Sequence, residues 1–244
     1  MRLDRASLRD EINLPQPCRD DPGQKFSDDN DVFTRQLTAS IVNKIGNLSQ
    51  KRPYDQIAGF HRKYVDYNRR EECSFVPSSL LAKQAYLEYH NGILQKIEEM
   101  YPENETDLSF LFDIHGTGHE SVQVGGQTYT FEVLIGTDEQ RSIKALTDVD
   151  PNVWWDEDRG LIPLIEKKGI AVFPPDEDVE QQNRLLDGGY TIQTYGSSQY
   201  KKRLAAIQIE VIHGIRADRN KRQKLGEDLA DCIFNFVSPF ISQS

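Results

Sequence analysis

Cysteine is scarce in this 244-residue chain, and the three that occur, Cys18, Cys73 and Cys232, are far apart and form no C-x-x-C pair. That pattern argues against a disulfide framework and against a cysteine-ligated zinc site. Cys232 falls within an apolar helical stripe and is expected to be a small buried residue. Long apolar runs are missing as well. Nothing approaches the roughly 20 residues of a membrane span. The N-terminal MRLDRASLRDEINLPQP carries charges throughout and lacks the apolar stretch of a secretory signal. A cytoplasmic location without a membrane partner is therefore the default expectation. Basic residues are in deficit: 29 Lys and Arg against 39 Asp and Glu give a net charge of -10. The basic clusters Lys201-Lys202-Arg203 and Arg219–Lys224 lie close to acids, so nucleic acid is not an expected partner. An anionic ligand stays open, because a site can carry its own arginines.

What is present alternates between helical and strand-like patterns. Residues 1–30 are polar, contain Pro15, Pro17 and Pro22, and read as an extended arm or loop; residues 31–244 read as a single α/β domain. From Phe33, apolar residues recur every four positions at Leu37, Ile41 and Ile45. This predicts an amphipathic helix ending near Gly46-Asn47, with Asp28, Asp29 and Asn30 as candidate caps. A buried strand is expected within Asp55–Val65. Ser78–Tyr101 is the clearest helix, with Leu80, Leu87, Leu94 and Ile97 along one face. LSFLFDI at 108–114 has the length and apolarity of a central strand buried on both faces. VQV, Gly125-Gly126 and TYTFEVLI read as a hairpin, GIAVFP at 169–174 as a strand, and AAIQIEVI at 205–212 as the last strong strand. Short helical spacing marks 161–168, and a closing helix over 216–240 turns Leu225, Leu229, Ile233, Phe236 and Phe240 inward. The alternation predicts a mixed or parallel sheet with helices on both faces.

Four constellations carry chemistry-bearing residues, each with a plain alternative. In Asp113-Ile114-His115-Gly116 an apolar strand ends in histidine and turns on glycine. His115 is thus either presented to a ligand or metal at a strand's carboxyl end, or hydrogen-bonded at the core edge. His119 could add a second donor, although the intervening GTG is not helical. In Ile207–Val211, alternation places Gln208 and Glu210 on one face. Glu210 is either a general base with its pKa raised by burial, or part of a solvated edge. In Asp66-Tyr67-Asn68-Arg69-Arg70, Arg69 and Asn68 could grip a carboxylate while Asp66 holds the arginine, or the segment is a solvated turn. Gly188-Gly189-Tyr190 and Tyr195-Gly196 bracket either a flap with a tyrosine near a reacting group or an ordinary hairpin. His90 is expected to be a satisfied core histidine. Trp154-Trp155 reads as a packing anchor or a partner contact.

The order of these segments, RKYVDYNRR, YLEYHNGI, LFDIHGTGH, GIAVFP, GGYTIQTYG and AIQIEV before a closing helix, resembles the N-formylglutamate amidohydrolase family over residues 30 to 240. It is more distantly similar to the zinc carboxypeptidases, which share a D-x-N-R, a D-x-H and a late glutamate in that order. The resemblance implies a three-layer α/β sandwich of the phosphorylase/hydrolase type, a single zinc, and cleavage of an amide next to a carboxylate in N-acyl amino acids or small peptides. It further implies His115 as a zinc ligand and Glu210 as the base that activates the metal-bound water. Arg69 with Asn68 would bind the substrate carboxylate, and Tyr195 would lie near the leaving group. Members carry an earlier P-H-x-G motif that supplies another histidine ligand, whereas here no histidine precedes His61. Asp10 and Glu11 lie near the corresponding place. The expectation therefore has two branches: a zinc amidohydrolase, or a metal-free relative that binds small anions or a protein.

Overall fold

The computed structural model describes residues 8–9, 15–20, 31–100, 107–182, 188–197 and 203–241. Its helices are α1 (Gln16–Asp20), α2 (Thr34–Ser49), α3 (Glu71–Ser74), α4 (Leu80–Met100), α5 (Lys144–Val149), α6 (Leu161–Glu166), α7 (Glu177–Gln182), α8 (Tyr190–Tyr195), α9 (His213–Ala217) and α10 (Arg219–Val237). Its strands are β1 (Ser109–Thr117), β2 (Ser121–Val124), β3 (Gln127–Thr130), β4 (Val133–Gly136), β5 (Val172–Phe173) and β6 (Leu204–Ile212). The chain gathers into two compact units, each built from two stretches: Met1–Asn30 with Tyr54–Met100, and Asp31–Pro53 with Tyr101–Ser244. From the sequence one boundary is expected, near residue 30; the contacts draw further ones at 53/54 and 100/101.

The first unit is organised by α4. Its buried stripe is Ala82, the adjacent Ala85 and Tyr86, His90, Ile93 and Ile97, a recurrence every three or four residues that keeps them on one side. Leu80, expected on that side, is 81% exposed. His90 Nε2 hydrogen-bonds the Tyr67 carbonyl at 3.1 Å, which satisfies this buried ring. No strand forms over Asp55–Val65: the amides of Tyr64 and Val65 both bond to the carbonyl of His61, closing a turn where a ladder was expected. Burial pushes the Tyr67 phenol up to about 12, against hydrogen bonds from Phe60 and Gly59. Contrary to the expectation from cysteine spacing, Cys18 and Cys73 form a disulfide across 55 positions. Sequence spacing is silent on such a pair, because tertiary packing alone brings α1 beside α3.

The second unit holds a four-stranded mixed sheet in the order β1-β6-β4-β5, beside a β2-β3 hairpin. β1 and β6 run parallel, β6 and β4 antiparallel, and β4 and β5 parallel. One face, with Val133, Ile135, Ile207, Ile209 and Val211, packs on Leu37 and Ile41 of α2 and on Leu225, Leu229, Ile233 and Phe236 of α10. Trp154 is fully buried in this core and acts as a packing anchor. On the other face Leu134 and Phe173 join Val124, Phe131 and Val179. The unit is therefore mixed α/β, a four-stranded mixed sheet with helices, as the alternating pattern predicted. The central position goes to β6, however, and β1 lies at one end of the described sheet. Phe110, Phe112 and Ile114 are accordingly only partly buried, whereas Leu204–Ile209 of β6 are buried without a break. The candidate caps Asp28, Asp29 and Asn30 lie outside the described residues. Gly188–Gly196, expected as a flap or hairpin, contains α8. Thr191, Ile192 and Tyr195 are its buried residues, a helical spacing, and Gly188 supplies the positive φ of 106° just before it. No helix among the described residues is long and apolar enough to cross a membrane.

Closing a loop of this length constrains the unfolded chain by roughly 2–4 kcal/mol. Cys18→Ser should therefore lower the urea midpoint of the oxidised protein to that of the reduced wild type. Equal midpoints for the oxidised wild type and the variant would show that the bridge does not form.

Candidate functional site

The most concentrated set of reactive groups lies on the sheet of the second unit, toward the carboxyl ends of the parallel pair β1 and β6. Strand register puts His115 directly opposite Glu210 and Asp113 opposite Gln208. Side chains alternate along a strand, so these four share one face, while Ile207, Ile209 and Val211 enter the core on the other. Carboxyl ends of strands in open α/β sheets are where ligands are met. A polar row in so apolar a strand is costly unless its members are paired or used.

His115 is held on both sides. Its Nδ1 lies 2.8 Å from Asp31 Oδ2 and its Nε2 lies 3.1 Å from Asp113 Oδ2. Burial alone would lower its pKa. The charge of Asp113 and its hydrogen bond, with those of Asp31, outweigh that and raise the pKa well above the ordinary histidine value. The ring is thus an imidazolium, with each N–H donating to a carboxylate. Arg216 is the second cation of the cluster. Its Nε donates to the Val211 carbonyl at 2.8 Å, Nη2 donates to Thr117 at 3.3 Å, and Nη1 donates to Val32. Burial lowers the Arg216 pKa against the nearby charges of Asp31 and Glu210. This cation explains the glycine after His115: a Cβ on Gly116 would lie 2.2 Å from Arg216 Cζ.

A carboxylate on one ring nitrogen is how a metal-bound imidazole is commonly oriented, which suits Asp31. The other nitrogen, however, is engaged with Asp113. Among the described residues no group of three His, Cys, Asp or Glu is placed to hold one ion. A catalytic zinc takes three protein ligands. His119 is exposed beyond the end of β1, and Asp10 and Glu11 lie outside the described residues. The described residues therefore do not by themselves fit a zinc centre.

The first unit contains the other charged constellation. Asp66, whose side chain is 1% exposed, faces Arg9 Nη1 at 3.4 Å, Arg62 Nε at 3.5 Å and Arg69 Nε at 3.9 Å. It also accepts the Asn68 amide at 3.1 Å. Arg69 is braced further: its Nη1 donates to the Asn68 carbonyl at 2.8 Å, and its own carbonyl accepts from Tyr86 Oη at 2.9 Å and from Ser74 Oγ at 3.0 Å. Arg9 donates to the carbonyls of Arg62 and Cys73. Burial lowers its pKa, with Asp66 opposing and Arg69 and Arg62 adding to the lowering. This is a buried network rather than a solvated turn. Among the described residues, three guanidiniums thus surround one carboxylate.

Tyr195 is buried in α8, which packs against β6 and β1. The geometry thus brings His115 and Glu210 together in the second unit and Arg69 and Asn68 together in the first. It also reveals participants that sequence reasoning left without a role: Asp31, Asp113, Gln208 and Arg216 in one unit and Arg9 in the other. Strand alternation alone pairs Asp113 with His115, and Gln208 with Glu210. Nothing local signals Asp31, Arg216 or Arg9. No family model, curated protein or solved structure matches the chain.

Displacing the Arg216 guanidinium would strand several buried hydrogen bonds, so Gly116→Ala should cost about 2–4 kcal/mol in urea unfolding. In an Arg216→Met background the same change should cost much less. Strictly additive losses would rule out the steric explanation.

Proposed function

We propose that this chain is an amidohydrolase of the N-formylglutamate amidohydrolase type, acting on an amide next to a carboxylate in N-acyl amino acids or small peptides. The observation that carries this reading is the alignment of Glu210 with the doubly clamped His115 on adjacent parallel strands. A histidine held between two carboxylates beside a glutamate at the carboxyl ends of strands makes a candidate acid–base site. Glu210 takes a proton from the attacking water and returns it to the departing amine. The imidazolium of His115 and the guanidinium of Arg216 offset the negative charge gathered around them. The resemblance gives Arg69, with Asn68, the role of binding a substrate carboxylate, and gives Tyr195 a role near the leaving group. These last roles rest on the resemblance. The zinc that the resemblance implies would require donors beyond the described residues.

A second reading is a metal-free module that binds small carboxylates without turnover. It is favoured by the commitment of both His115 ring nitrogens to carboxylates. Turnover of N-formyl- and N-acetyl-L-glutamate, with the zinc content of the purified protein measured alongside, separates the two. Under the first reading Glu210→Gln lowers kcat by at least about a hundredfold with binding retained, and Arg69→Ala raises KM selectively for substrates that carry the carboxylate. An unaltered rate in Glu210→Gln would remove Glu210 as the base. Absence of turnover with and without zinc, together with carboxylate binding that is lost in Arg69→Ala, would establish the second.

A further inference from the structure

Arg9 is joined in two ways to the loop that carries Asn68 and Arg69. The first is polar. Its backbone amide donates to the Lys63 carbonyl at 2.8 Å, its Nη1 to the Arg62 carbonyl at 2.8 Å and its Nη2 to the Cys73 carbonyl at 3.2 Å. Nη1 also faces Asp66 at 3.4 Å. The second is covalent: Cys18, nine positions after Arg9, is bridged to Cys73. Cys73 lies in α3, which is tied to the same loop. The Cys73 amide donates to the Arg70 carbonyl, and the Ser74 hydroxyl donates to the carbonyls of Arg69 and Arg70. The bridge and the Arg9 guanidinium therefore meet on one residue. Keeping Arg9 there is opposed by its chemistry. Burial lowers its pKa, and the charges of Arg69 and Arg62 add to the lowering. Proximity helps to offset this. Through the bridge, Arg9 reaches Asp66 by nine positions to Cys18 and seven from Cys73, whereas 57 positions separate them along the chain. Closing the shorter path favours the contact by roughly sixfold in local concentration.

We infer that the Cys18–Cys73 bridge is a redox-sensitive switch: closed, it holds Arg9 in the Asp66 network, and opened by a dithiol reductant, it lets Arg9 out to solvent. One thiolate of the dithiol attacks a bridge sulfur, and the other cysteine leaves as a thiolate and takes up a proton. The second thiolate of the dithiol then displaces the first cysteine. Two electrons pass to the protein sulfurs, and the dithiol ends as a disulfide. Both cysteines are fully buried, so the exchange proceeds from a locally opened state. The opening falls at α1, a helix of five residues with Gln16 and Pro17 exposed, too short to be stable without its packing. The switch acts on the Asn68–Arg69 loop whatever that loop binds, and it does not rest on the amide-directed reading.

The test is the labelling of arginines by phenylglyoxal, located by peptide mass spectrometry. It is run on the whole protein before and after reduction with dithiothreitol, the reductant being removed under nitrogen. Exposed Arg219 serves as the internal standard, and buried Arg216, which belongs to the other unit, reports global unfolding. With the bridge closed, Arg9 should be protected as Arg216 is. With it open, Arg9 labelling relative to Arg219 should rise at least about sixfold, Arg216 should stay protected, and reoxidation should restore the closed value. The double variant Cys18→Ala, Cys73→Ala should label as the reduced wild type does without any reductant, which separates the bridge from effects of the reagent. Equal labelling of Arg9 in the oxidised and reduced protein would overturn the switch. Labelling of Arg216 in step with Arg9 would overturn it too, because the bridge would then hold the whole fold rather than one side chain. So would three free thiols in the untreated, air-oxidised protein.

Discussion

The parallel ladder between β1 and β6 is the constraint on which the second unit depends. It fixes His115 abreast of Glu210 and Asp113 abreast of Gln208 through backbone bonds alone. Because side chains alternate strictly, the same register that gathers these four polar groups also drives Ile207, Ile209 and Val211 into the opposite core. A slip of one residue would bury the acids among leucines and expose the isoleucines. The apolar face therefore enforces the geometry of the polar one, and α2 and α10, which close over it, support the site without touching its chemistry.

Each unit solves the problem of a buried charge, and they do so with opposite signs. In the second, a cation is enclosed by two carboxylates, so that His115 keeps its proton despite being withdrawn from water. In the first, an anion is enclosed by guanidiniums, and Asp66 anchors three arginines that would otherwise repel one another. Removing the central member of such a group is more damaging than removing an outer one, because the flanking like charges lose their common partner.

The alternating α/β character, the closing helix, the hairpin and the polar pair on β6 were legible from apolar spacing, since periodicity reports directly on which face is buried. Other features were not. The run LSFLFDI looks more central than AAIQIEVI by composition, yet strand order is decided by which neighbours exist, and composition does not report that. Gly188–Gly196 carries glycines and tyrosines that suggest a hairpin, while the burial of Thr191, Ile192 and Tyr195 follows helical spacing. Among the reactive groups, His115, Glu210 and Arg69 could be singled out because each sits in a compact local pattern. Asp31 reaches His115 across 84 positions, Arg216 reaches Thr117 across 99 and Arg9 reaches Asp66 across 57, which only tertiary folding can do. The Cys18–Cys73 bridge escaped notice for the same reason.

The discontinuity of the two units bears on biosynthesis. As the chain leaves the ribosome, residues 31–53 emerge well before the strands they must cover, so Leu37 and Ile41 of α2 wait for Ile207 and Ile209 to be made. The first unit can close once residue 100 has appeared, and it does so around an intervening segment that belongs elsewhere. Completion of the second unit falls to the last third of the chain, and until β6 arrives α2 remains an amphipathic helix without its partner. The apolar face of α2 is thus matched only by residues made near the end of the chain. No single cut in the gene separates one unit from the other.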